Sequence, residues 1–196
     1  MLFIPEHSRY FRVGAIDPGT DTLGTCILDV DLFTGEVILR DVNTLHGSRN
    51  MRRYPGVEEV HGGRWAKLHS HGVELLNWMR HFGINSLICE SPFLGRFPQA
   101  FEALVECKTE IRRALYNYDL CMPLETVDPP SAKMAVGVSG KSKNKDDVKW
   151  AILKLPNFRN LSGKRIEDLD EHSTDSIAVG YFKCLALINF VKGVRI

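Results

Sequence analysis

The chain has 196 residues, 44% hydrophobic and 25% charged, with a net charge of +1. That length suits one well-buried domain and is short for two, and the near-zero charge gives no overall pull toward polyanions. No apolar run approaches the roughly 20 residues of a membrane span, and the opening MLFIPEHSRYFR has neither a signal-peptide nor a transit-peptide pattern, so a cytoplasmic protein with no membrane partner is expected.

Phe11 to Val30, FRVGAIDPGTDTLGTCILDV, reads as two strands around a turn. Val13, Ala15 and Ile16 belong to a mostly buried strand, Asp17-Pro18-Gly19-Thr20 to the turn, and Thr22 to Val30 to a second strand returning beside the first. Asp17 stands where the apolar strand ends, reachable by solvent yet held on a rigid element, which suits a catalytic ligand; taken alone, it serves equally well as a turn cap. Gly35 to Asp41 (GEVILRD) predicts a third strand, and its short link makes all three antiparallel. Val42 to Gly63 is polar and basic with no period, and predicts a long loop.

Arg64 to Phe82 predicts an amphipathic helix with Trp65, Leu68, Leu75, Leu76 and Met79 on one face, Gly72 weakening its middle and Gly83 stopping it. His69 and His71, two residues apart, point to different faces and read as surface histidines. Asn85 to Glu90 (NSLICE) is a second apolar run ending in a carboxylate; following a helix, it is expected to run parallel to the first strand and to bring Glu90 to the same end of the sheet. Phe97 to Tyr118 predicts a long helix and Pro123 to Val127 a further strand. Pro129-Pro130 breaks the chain, Ser131 to Val136 suggests a helical turn, Gly137 to Lys145 a flexible loop, and Asp146 to Leu155 a helix. Pro156 to Asp168 reads as an exposed connection, and His172 to Val191 as a strongly apolar helix. The element order predicts an α/β protein: a five-stranded mixed sheet, its first three strands antiparallel, flanked by helices.

The five cysteines, Cys26, Cys89, Cys107, Cys121 and Cys184, are widely spaced and form no CxxC pair, which fits free thiols rather than disulfides or a zinc site. Positive charge clusters at Arg49, Arg52 and Arg53, at Lys141, Lys143, Lys145 and Lys149, and at Arg159, Lys164 and Arg165; negative charge concentrates between Glu167 and Asp175. Basic loops around an acidic focus suit a protein that draws in phosphates and holds a cation, although each cluster taken singly also fits a solvated loop. Asp17, Glu90 and Asp175 end or begin elements that converge on one edge, and His172 shares a helix face with Asp175 at i to i+3. Carboxylates brought this close repel unless a cation or protons intervene, and Mg²⁺ or Mn²⁺ would satisfy them with a histidine nitrogen tolerated.

AIDPGTDTLG, ICESPF, GVSGKSKNKDDV and DEHSTDSIAVGYF, in this order across nearly the whole chain, resemble the motifs of the RuvC family of Holliday-junction resolvases. The resemblance implies an RNase H-like fold with Asp17, Glu90, His172 and Asp175 as the metal-binding catalytic tetrad; the family carries His or Asp at the position of His172. It implies two Mg²⁺ ions per site, with Mn²⁺ able to substitute, Asp17 bridging them and a metal-activated water attacking the phosphate in line. Lys145 matches the family's lysine near the scissile phosphate, with Lys143 and Lys141 as alternatives because the loop is slightly longer here. Phe93 matches an aromatic that stacks on bases at the junction centre; packing under Pro92 is the alternative. The Phe97 to Tyr118 helix corresponds to the family's dimerisation helix, which implies a homodimer making paired nicks in four-way junctions. Arg49, Arg52, Arg53, Lys141 and Lys143 would hold the backbones of branched DNA, and the long Val42 to Gly63 loop resembles the looser specificity of phage and poxvirus relatives, whose setting would be a host cytoplasm.

The same fold would also act on flaps, forks or structured RNA. DPGTDTLG in addition resembles the phosphate loop of sugar-kinase and actin-like nucleotide-binding proteins, which usually need two such domains.

Overall fold

The computed structural model describes residues 8–93, 97–142, 144 and 146–193. Its centre is a six-stranded sheet in the order β5-β4-β1-β2-β3-β6. The strands are β1 (Tyr10–Asp17), β2 (Thr22–Asp31), β3 (Val37–His46), β4 (Ser86–Glu90), β5 (Leu124–Val127) and β6 (Phe158–Asn160). β1, β2 and β3 pair antiparallel, while β4 runs parallel to β1, β5 to β4 and β6 to β3. The helices are α1 (Gly47–Asn50), α2 (Pro55–His61), α3 (Gly63–Phe82), α4 (Pro98–Tyr118), α5 (Pro129–Ala135), α6 (Asp146–Ile152) and α7 (Glu171–Val191).

The near-continuous hydrophobicity of β1 and β2 follows from burial on both faces. Phe11, Val13 and Ala15 of β1, with Cys26, Leu28 and Val30 of β2, join Ile177, Val179 and Cys184 of α7 in one core. Ile16, Leu23, Ile27, Leu87 and Cys89 face the other way, toward Leu68, Leu75 and Met79 of α3 and Ile111 and Leu115 of α4. Each fully buried Leu, Ile or Phe contributes about 1.5–3 kcal/mol relative to exposure. A Cβ at Gly180 would stand 2.7 Å from Leu28 Cδ1 and 2.9 Å from the Ala15 Cβ, so glycine there lets α7 lie close on the sheet. At the far end of the sheet, buried Asp29 takes Arg12 at 2.7 Å and Arg40 at 2.8 Å and so ties the three antiparallel strands together.

Several expectations need correction. The sheet has six strands because Phe158–Asn160, inside the stretch read as an exposed connection, pairs with Val37–Leu39; three residues are too few to show a period. Val42–His46 continues β3, and the rest of the expected long loop forms α1, the 3-10 turn Met51–Arg53 and α2. These helices are short and pack on α3, so their order comes from that packing rather than from pattern. Trp65 is 41% exposed, whereas Leu68, Leu75 and Met79 of the same expected face are buried. α7 does have the length and composition of a membrane span, contrary to the sequence reading, but more than half of it is buried inside the protein. The four cysteines Cys26, Cys89, Cys107 and Cys184 are buried free thiols and Cys121 is an exposed one.

His71 is buried rather than on the surface, because α3 turns it toward the loop after β1, where Nε2 meets the Thr20 carbonyl at 3.2 Å. Burial pushes its pKa down from 6.5 to about 4. The unfolded chain therefore takes up a proton between those values that the folded protein refuses, and stability falls as pH falls through that window. Between pH 7.5 and 5 the protein should lose about 2 kcal/mol more stability than His71→Gln, read from urea denaturation at both pH values. Equal losses in the two proteins would contradict this assignment.

Candidate active site

Strand parity decides which residues meet at the edge where β1 and β4 end. Ala15 and Ile88 face α7, so Asp17 and Glu90, two residues further along each strand, face it too. The parallel register Ile16↔Cys89 places these two carboxyl residues next in line, side by side. α7 brings its first turn to the same edge. Its N-cap Asp170 accepts from the Ser173 backbone N–H at 2.8 Å and from Thr44 Oγ1 at 2.7 Å, which pins the helix start to the end of β3. Gly24 makes the approach possible: a Cβ there would lie 2.0 Å from the His172 carbonyl oxygen.

His172 Nδ1 lies 2.8 Å from Asp17 Oδ2, and its Nε2 lies 2.7 Å from Thr22 Oγ1. The bond to Asp17 raises the His172 pKa, and burial raises that of Asp17 against the opposing pull of His172. Burial, then the charges of Asp17 and Asp175, push Glu90 up to about 8. Burial, then Asp17 and Glu171, push Asp175 up to about 6. Three carboxyls and one imidazole thus share one field, in which nearby positive charge only partly offsets burial and like-charge repulsion.

That donor set suits a hard divalent cation, with oxygen ligands and one tolerated nitrogen. Among the described residues no group of three or more His, Cys, Asp or Glu side chains stands close enough to cage an ion as placed.

The structure separates the expected basic residues. Arg49 and Arg52 are exposed just after β3, at the carboxylate edge, and among the described residues neither forms an ion pair. Arg53 is paired with Glu74. Lys141 is exposed in a loop whose next residue, Ser142, accepts from Lys133 Nζ at 3.2 Å. Lys143 and Lys145 lie outside the described residues. The third cluster is engaged within the fold: Lys164 donates to the Val42 carbonyl at 2.6 Å, Arg159 pairs with Glu36 at 3.2 Å, and Arg165 sits near Glu167 and Asp168. Phe93 is 69% exposed, which disfavours packing under Pro92.

Two residues went unnoticed in the sequence. Lys133, on α5, is near enough to oppose the upward shifts of both Glu90 and Asp175. Thr22 reaches the free nitrogen of His172. Thr22 could have been found by parity, since it shares the α7-facing side of β2 with Cys26 and Leu28; Lys133 could not, because its position depends on how α5 packs.

No family model and no curated protein matches the chain. Solved structures do. Thermus thermophilus RuvC is 17% identical with a TM-score of 0.68, covering 94% of this chain and 98% of that one. The yeast mitochondrial Holliday junction resolvase is 15% identical with a TM-score of 0.61, covering 94% and 85%. The fowlpox virus resolvase, solved with its substrate Holliday junction DNA, is 11% identical with a TM-score of 0.51, covering 91% and 99%. The fold is therefore RuvC-like, in keeping with the RNase H-like architecture expected from the motifs.

The unfolded chain ionises Glu90 near 4.5, whereas the folded protein holds the proton to about 8, so this residue costs stability as pH rises through that range. In EDTA, Glu90→Gln should be more stable than the unchanged protein, and its advantage should widen by about 3–4 kcal/mol between pH 5 and 8 in urea denaturation. A constant difference would mean that burial and the charges of Asp17 and Asp175 do not hold a proton on Glu90.

Proposed function

We propose that the chain is a homodimeric, divalent-metal-dependent endonuclease that hydrolyses phosphodiester bonds in branched DNA, four-way junctions foremost. The observation that carries this reading is the convergence of Asp17, Glu90, Asp175 and His172 at one sheet edge, in a fold shared with Thermus thermophilus RuvC and fowlpox resolvase, both of which have been solved with Holliday junction substrates.

A bound Mg²⁺ or Mn²⁺ pair would supply Lewis acidity and lower the pKa of an attacking water. The chain's own residues do the rest. Asp17, Glu90 and Asp175 bring carboxyl oxygens to the edge where the cation would be held, and His172 orients Asp17 through Nδ1. Lys133 offers a positive charge beside Glu90 and Asp175, suited to a phosphate oxygen. Exposed Phe93, three residues beyond Glu90, presents a ring on which a base at the branch point can stack. Lys141 is exposed in the loop following α5, where it would face the phosphate backbone, and Lys143 and Lys145 would share that role by their closeness to it in sequence.

Support for a dimer comes from α4. Phe101, Val105, Lys108 and Arg112 follow helical spacing and line one open groove of about 570 Å³ with Ser91 and Pro92, and Phe97 at the helix start is 73% exposed. A two-fold partner on this face would set two sites for paired cuts.

On a synthetic four-way junction with Mg²⁺, Asp17→Asn should bind but not cut; cutting at the normal rate would end the mechanism. Flaps, forks and structured RNA run in the same assay identify the preferred substrate. Replacing Arg49 and Arg52 by alanine should lower the slope of log affinity against log salt by about 2, since each neutralised phosphate contributes about 0.9. An unchanged slope would remove these arginines from the DNA path.

A further inference from the structure

Both ring nitrogens of His172 are engaged, and only one of them faces the carboxylates. Nδ1 meets Asp17 Oδ2 at 2.8 Å, while Nε2 meets Thr22 Oγ1 at 2.7 Å on the opposite side of the ring. The His172 side chain is 38% exposed at the start of α7, so burial alone does not prevent the ring from turning over. We infer that Thr22 is a positioning residue, whose hydroxyl holds His172 with Nδ1 toward the carboxylate cluster both before and after a cation binds. This rests on the metal-dependent reading above.

Thr22 is well placed to be a fixed point. It opens β2, pairs with His46 of β3, and its carbonyl closes over the turn so tightly that a Cβ at Gly19 would stand 2.1 Å from it. A β-branched side chain on a strand has restricted χ1, so the hydroxyl direction is set by the backbone.

The chemistry of a hydroxyl matters as much as its place. Without a cation, Nδ1 donates its proton to the Asp17 carboxylate, which only accepts; a neutral ring then presents a bare Nε2, to which the Thr22 hydroxyl donates, and a protonated ring presents Nε2–H, from which the same hydroxyl accepts. To ligate a cation, Nδ1 must offer its lone pair, so the ring proton moves to Nε2, and the same hydroxyl now accepts. A carboxylate or carbonyl at position 22 would serve only the second state. Threonine serves both, and the ring need not rotate between them.

The test uses Thr22→Val, which keeps the β-branched shape and loses the hydroxyl, with Thr22→Ser as the variant that retains it. In a crystal structure of metal-free Thr22→Val the ring should leave Asp17, with Nδ1 beyond hydrogen-bond distance of Oδ2. Calorimetric titration with Mn²⁺ alone should show affinity weakened by roughly 10–100-fold, as for other partners that orient metal ligands, and largely restored in Thr22→Ser. In a His172→Asp background, Thr22→Val should cause no further loss. An undisturbed ring in Thr22→Val, or the same loss in both backgrounds, overturns the inference. Failure of the unchanged protein to bind Mn²⁺ would instead defeat the metal-dependent reading, and the metal-free ring position would still decide the role of Thr22.

Discussion

Like charges held together in a low-dielectric place are the constraint around which the carboxylate edge is built. Asp17 and Glu90 stand side by side on parallel strands, and Asp175 faces them from α7. Burial raises the proton affinity of all three, and the Asp17 charge adds to that effect at Glu90 and Asp175. A sequence selected for stability alone would place an apolar side chain or a hydrogen-bonded pair at such a position. Retaining carboxyls that are only partly compensated is the kind of local conflict that marks a functional site, with its cost offset by the cores on both faces of the sheet.

The surrounding structure is arranged to hold this edge rigid. Asp170 caps α7 and takes the Thr44 hydroxyl, so the helix start is fixed to β3; Gly24 removes the one Cβ that would keep the helix off β2. Deeper in the fold, Gly180 and its close approach to Leu28 and Ala15 keep the same helix flat on the sheet. Lys183 of α7 reaches Glu125 of β5 at 2.6 Å, tying the helix to the edge strand beyond β4. The acidic run from Glu167 to Asp175 is thereby divided by geometry. Asp170 builds the helix, Asp175 enters the shared field, and Glu167 and Asp168 stay with Arg165.

The short helices between β3 and α3 extend that edge outward. β3 runs antiparallel to β2, so it ends where β1 ends, and its continuation must start beside Asp17. The Gly47 N–H bonds the Asp21 carbonyl at 2.6 Å, and His71 holds the Thr20 carbonyl, so the turn after Asp17 is braced from two sides. The exposed Arg49 and Arg52 project from this braced segment rather than from a loose loop.

Much of this was legible in the chain itself, since it depends on local pattern. Two apolar runs ending in Asp17 and Glu90, the i to i+3 spacing of His172 and Asp175, and the amphipathic α4 are properties of neighbouring residues, and strand parity follows from them. The sixth strand, the helices after β3, the burial of His71, and the closeness of Lys133 and Thr22 to the site were not legible. Each depends on which distant segment packs against it, and a short segment carries too little period to announce its partner. The sequence by itself determined which carboxylates reach the sheet edge. Only the tertiary structure decided how α7 seats against β2, and with it which nitrogen of His172 turns toward Asp17, because those relations are set by steric contact and hydrogen bonding between residues about 150 positions apart.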